Sequence, residues 1–244
     1  MLKEKFINTE KLYHYTTFNS ALNILLTESL RFSYLANMND IYEQSKFFFY
    51  AEGANHNVSD LFYREIVRYK QISLTEDSSL ENGRTGFDIP AMWGHYADKG
   101  NGVCIVFDKK KLLRHVRRSW LKGKVKYHRE FDNNIIGMDV QTKNDIANFI
   151  KNKSNEIFLC KSEDWAYEQE FRIVTKSSAT ALDVSNCIIC VLTRDRTWEE
   201  FEQRKKIFSK IGYDAFLYSN FLGEIQIQDR EIQIYPDYKI DPDL

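Results

Sequence analysis

Val103-Cys104-Ile105-Val106-Phe107 is an unbroken apolar run. A strand with one wet face alternates apolar and polar residues; this run does not, which predicts a strand buried on both faces at the centre of a sheet. Upstream, Pro90 suits the first turn of a helix carrying Trp93 and Tyr96, and Gly100-Asn101-Gly102 ends that helix. Downstream, Lys109 to Ser119 reads as a strongly basic helix, with Lys122, Lys124, Lys126 and Arg129 extending the charge and Trp120 and Tyr127 set among them.

Further out, the chain opens as strand, helix, strand. Leu12 to Thr16 is short and aromatic-rich. Thr17 is placed to cap a helix over Phe18 to Ser29, with Phe18, Leu22 and Leu25 on one stripe. Leu30 to Leu35 alternates like a second strand. With Asp40 as N-cap, Glu43 falls at the third helical position, a capping box, and the helix would run on through Lys46 to Tyr50. A further helix covers about Ser59 to Tyr69, and Gln71 to Thr75 is strand-like. Glu76 to Asp88 is polar and glycine-bearing, the best candidate for a mobile lid.

In the second half, Asn144 to Asn152 is helical and continues toward Phe158. Ala181 to Thr193 holds a strand, Thr197 to Lys210 an amphipathic helix, and Ala215 to Tyr218 a strand. Two Glu-Ile-Gln-Ile repeats, at 224–227 and 231–234, form a hairpin. Short strands mixed with helices, with no domain-splitting linker, give an α+β class and one domain over residues 1–244.

Composition narrows the function classes. A chain of 244 residues with 43% hydrophobic and 14% aromatic content supports a packed core. A net charge of -1 gives no global pull toward nucleic acid or membrane. No apolar run is long enough to span a bilayer, and the N-terminus lacks a signal core, so a cytoplasmic location is expected. The scattered cysteines fit a reducing compartment, and Cys187 and Cys190 read as buried thiols. No HExxH, Cys/His cluster, phosphate loop, GxGxxG or GxSxG occurs, so neither a catalytic metal nor those cofactor motifs are expected.

What remains is chemistry built from His, Glu, Arg and aromatics. Trp165 to Val174 holds Glu168, Glu170 and Arg172 at alternate positions, so a strand would set all three on one face, opposite Phe171 and Ile173. Carboxylates and a guanidinium in such a row are costly to bury unless they pair or bind something. The plain alternative is a salt-bridged edge strand. For His14, between two tyrosines, the plain alternative is a ring bonded to backbone. Asn39, Asp40 and Glu43 are explained by capping, and Trp93 and Tyr96 by the core; His95 could point elsewhere.

Taken together, Leu12-Tyr13-His14-Tyr15-Thr16, Leu30-Arg31-Phe32-Ser33, Asn39-Asp40-x-x-Glu43, Trp93-x-His95-Tyr96-Ala97, Gly102 to Ile105 and Trp165-x-Tyr167-Glu168-x-Glu170-x-Arg172 resemble a widespread, mostly bacterial family of unknown function. The resemblance runs from about residue 12 to 176. The opening also resembles that of ADP-ribosyltransferases, which implies a split β-sandwich with flanking helices gripping NAD+ as substrate. The same resemblance implies that His14 bonds a ribose, adenosine-side or nicotinamide-side. Thr16 would sit near the nicotinamide, and Glu170, or else Glu168, would be the catalytic carboxylate. Ser33 and Tyr34 are the candidates for the middle motif. Tyr15, Asn39, Asp40, Trp93, His95 and Arg172 complete the candidate NAD+-binding set. Arg172 would tether Glu168 or grip the diphosphate.

Cleaving the nicotinamide–ribose bond builds positive charge on the sugar, which a fixed carboxylate stabilises. The resulting expectation is an NAD+-consuming ADP-ribosyltransferase-like enzyme, a toxin or anti-phage effector, acting on an unknown acceptor macromolecule. The alternative is a non-catalytic nucleotide- or nucleic-acid-binding module, with Lys109 to Arg129 as the basic patch.

Overall fold

A computed structural model of the chain describes residues 6, 9–35, 56–78, 85–129, 142–221, 224–228 and 233–234. Strands and helices are mixed throughout, so the class is α+β. Backbone contacts divide the chain into two compact units: Met1–Leu30 with Leu74–His115 and Asp183–Leu244, and Arg31–Ser73 with Val116–Leu182.

The first unit is built on the apolar run. Strand β5, Val103–Asp108, is buried at every residue. Its neighbours are β1, Lys11–Thr16, and β11, Ile188–Thr193, both antiparallel. β12, Ala215–Phe221, lies parallel to β11, which requires a crossover, supplied by the helix Trp198–Lys210. β13, Glu224–Gln228, pairs antiparallel with β12 and then with β14, Gln233–Ile234, so the expected hairpin is present. Thr17 accepts a hydrogen bond from the Ser20 amide at 3.2 Å and starts the helix Phe18–Thr27; Glu28, in the left-handed region, stops it two residues short of the sequence reading.

The end of β5's approach is tight. A Cβ placed on Gly102 would lie 2.3 Å from the Thr16 carbonyl oxygen and 2.7 Å from the Ala97 carbonyl carbon. Both are backbone atoms that cannot rotate away. Gly102→Ala is therefore expected to destabilise this unit by about 1–3 kcal/mol, read as a lower thermal midpoint. An unchanged midpoint would mean that the backbone relaxes freely here.

The second unit contains β9, Glu170–Thr175, hydrogen-bonded to β6, Leu121–Lys124, on one side and flanked on the other by β4, Lys70–Glu76, of which residues 70–73 belong to this unit. β3, Ser33–Tyr34, pairs with the start of β4. β7, Lys126–His128, and β8, Cys160–Ser162, form a separate parallel pair. Three helices contribute to the core of this unit: His56–Ile66, Lys143–Asn152 and Ser154–Phe158. Thr142 and Asp145 form a reciprocal capping box at the start of the second. Its Ile146, Phe149 and Ile150 join Phe62, Ile66, Ile157, Phe158 and Val174 in one apolar cluster.

Several boundaries differ from those read in the sequence. The stretch 30–35 is two short strands interrupted at Phe32, whose amide instead donates to the Thr180 carbonyl at 3.0 Å. The basic helix ends at His115 and not at Ser119, and the charged residues beyond it fall on the strands Leu121–Lys124 and Lys126–His128. The helix expected to run on to Phe158 breaks at Lys153. Asn39, Asp40 and Glu43 lie outside the described residues, as does the middle of the expected lid.

Candidate functional site

The acidic stretch is not one strand. Glu163–Glu168 is a 3-10 helix, and Gln169 takes a left-handed conformation with φ 46° and ψ 49°. The strand starts only at Glu170. Glu168 therefore does not share a strand face with Glu170 and Arg172, contrary to the alternation read from sequence. The sharp reversal at Gln169 removes the two-residue period that would have aligned them.

The two carboxylates meet at a lysine instead. Lys161 of β8 donates to Glu168 Oε2 at 2.6 Å, and its Nζ lies 3.6 Å from Glu170 Oε2. Arg172 grips Glu170 with both arms of its fork, Nε to Oε1 at 2.7 Å and Nη2 to Oε2 at 2.8 Å. The third arm, Nη1, donates to the Phe158 carbonyl at 2.9 Å, satisfying an acceptor at the end of the helix Ser154–Phe158. The Tyr127 hydroxyl accepts the Glu170 amide at 2.8 Å. Lys161 also lies over the Trp165 ring, 4.6 Å from its centroid.

All four charges are buried: Arg172 is 1% exposed, Glu168 3%, Glu170 5% and Lys161 5%. Two acids face two bases, so each buried charge has an opposite charge beside it to offset its lost hydration. Burial pushes the Glu170 carboxyl up, but the Arg172 charge and hydrogen bonds, with Lys161 and Ser73, outweigh it and hold the group at about 2. Glu170 is thus anionic at neutral pH. Burial, reinforced by the two carboxylates, pushes the Tyr127 phenol well above its ordinary value. This arrangement fixes charge and joins a 3-10 turn, three strands and a helix end through one set of bonds.

Sequence reasoning missed Lys161 and saw Tyr127 only as part of a basic segment. A single lysine in a three-residue strand carries no periodic signal. Only the parallel pairing of Tyr127 with Lys161 brings them to the two glutamates.

Among the other candidates, His14 is half-buried on β1, opposite Ile105, and Thr16 lies opposite Val103. Tyr15 is buried; its hydroxyl donates to the Gly86 carbonyl at 2.8 Å, and its ring meets Trp93 edge-on at 5.3 Å. Trp93 is wholly buried, donates to the Phe87 carbonyl at 2.8 Å and stacks on Tyr218. His95 is exposed on the same helix. These five belong to the first unit. Ser33 and Tyr34 are exposed on β3 of the second unit, with Lys70 over the Tyr34 ring at 5.7 Å. Glu168, Glu170 and Arg172 are the members of the expected set that the structure brings together in one network.

Cys187 and Cys190 are buried free thiols, as read from the sequence, and Cys104 on β5 is a third. Among the described residues no group of three or more His, Cys, Asp or Glu side chains is placed to hold a metal ion. No helix among them is long and apolar enough to cross a membrane.

The family model described as "Protein of unknown function (DUF2971)" matches residues 92–173, from the helix bearing Trp93 and His95 to the strand bearing Glu170 and Arg172. The resemblance to a family of unknown function is therefore met across that stretch. No curated protein and no solved structure matches the chain.

Proposed function

We propose that this protein is a non-catalytic module that binds a nucleotide, free or within a strand, through the basic segment that follows Val116. One observation carries this reading. The acids named as catalytic are neutralised by Arg172 and Lys161, whereas Arg117, Arg118, Lys122, Lys124 and Lys126 are exposed. Five exposed cations along one short segment suit the phosphates of a nucleotide. Lys122 and Lys124 have a second explanation, because lysines on a terminal strand of a sheet discourage edge-to-edge pairing. That explanation does not extend to Arg117, Arg118 or Trp120, which precede the strand.

The test is a titration with a short single-stranded RNA and with ADP-ribose at rising salt. Binding is expected to weaken steeply, with a log–log slope of about -0.7 per phosphate neutralised on the single strand. Binding indifferent to salt would remove the electrostatic basis of the proposal, and no binding of either probe would remove the proposal itself.

A second reading, an NAD+-consuming transferase, draws on the ionised state of Glu170, the state in which a carboxylate stabilises a ribosyl cation. Labelled NAD+ incubated with lysate separates the two. The module reading expects equal label transfer with wild type and Glu170→Gln. A signal lost only in a correctly folded variant would favour the enzyme.

A further inference from the structure

The second unit holds a cavity of about 470 Å³. Its walls include Tyr69, Trp120 and Phe158, and its charged lining is Arg118, Lys151 and Lys176, with no acidic residue. None of the residues expected from the sequence to bind NAD+ lines it.

The cations differ in how far they are committed. Lys176 pairs with Glu65 and lies over the Tyr69 ring. Arg118 and Lys151 are exposed, and among the described residues neither has a carboxylate within ion-pair distance. Exposed cations are usually just solvated. Here they border a concave space with an aromatic floor, where Tyr69 and Phe158 lie with ring centroids 4.5 Å apart. Ser119, Ser154 and Ser177 add hydroxyls to the same walls.

The volume falls in the range of small-molecule sites, roughly 300–1,000 Å³. It suits a compact ligand and not a strand. A guanidinium fork matches phosphate oxygens, and a second cation answers the remaining charge. Aromatic walls favour a planar ring over a bare anion.

We infer that this cavity is a binding site for a nucleoside phosphate, its phosphates held by Arg118 and Lys151 and its base lying against the aromatic wall. The inference rests on the proposed nucleotide-binding function and deepens it from nucleotides in general to a free nucleotide at a stated place.

The experiment is calorimetry on the full chain with three probes: ADP, inorganic pyrophosphate and a ten-nucleotide RNA. Wild type and Arg118→Ala/Lys151→Ala are compared, with Lys206→Ala, an exposed lysine of the first unit, as control. ADP is expected to bind wild type more tightly than pyrophosphate does, to weaken at least tenfold in the double variant, and to be unaffected by Lys206→Ala. Both substituted side chains are exposed, so the double variant is expected to fold as wild type does, checked by its thermal midpoint. ADP binding equal in wild type and double variant would overturn the location while leaving the function standing. Binding of RNA but not ADP would overturn the free-nucleotide class. No binding of ADP or RNA would overturn both the inference and the function it rests on.

Discussion

Arg172→Met is expected to destabilise the protein by about 3–5 kcal/mol, the range for breaking a buried pair from one side. Methionine fills much of the arginine's volume, so packing loss is small and the effect is electrostatic. Three hydrogen bonds go at once: two to Glu170 and one to the Phe158 carbonyl. Glu170 would be left 5% exposed with Lys161 as its remaining cation at 3.6 Å. Denaturant unfolding of the variant measures the loss. Adding Glu170→Gln should recover part of it, because the stranded charge is then gone. A loss below about 1 kcal/mol, or a double variant no more stable than the single, would show that the guanidinium does not neutralise Glu170.

Acid should reach the same network. The Glu170 carboxyl is held at about 2 in the folded protein, below the ordinary glutamate value of about 4.3 it takes when unfolded. A depressed folded value means the unfolded chain binds the proton more readily. The contribution is therefore complete above about pH 5 and is lost as pH falls toward 2. It is on the order of 3 kcal/mol, from about two units at 1.36 kcal/mol each. Stability measured from pH 6 to pH 2.5 should decline steeply in the wild type and by less in Glu170→Gln. Parallel curves for the two proteins would place the acid-sensitive group elsewhere.

These expectations concern residues whose chemistry was visible in the sequence but whose role was not. Glu168, Glu170 and Arg172 stand out as charged residues beside an apolar strand. Their alternation suggested a shared face, and for Glu170 and Arg172 that holds. For Glu168 it fails, because Gln169 reverses the chain one residue before the strand begins. Nothing in a period-two pattern reports a left-handed residue that is not glycine. Lys161 was invisible for a different reason: its importance comes from position, and its position comes from β7 and β8 pairing side by side.

Other features were legible because their causes are local. Thr17 was read as a cap from one residue and its spacing, and it accepts the Ser20 amide; Thr142 and Thr197 cap their helices in the same way, although the sequence reading did not single them out as caps. The run Val103–Phe107 stated its own burial, since five apolar residues in succession leave a strand no face to offer water. The cavity had no such signature: Tyr69, Arg118, Lys151 and Lys176 lie on four separate stretches of chain, and no spacing links them.

The sequence alone thus determined the α+β class, the central strand, the helix starts and the buried thiols, because each follows from neighbours a few residues apart. The tertiary structure decided which charges neutralise one another and which remain facing solvent. Pairing depends on side chains brought together from distant segments, and Coulomb energy is set by separation in space, not along the chain.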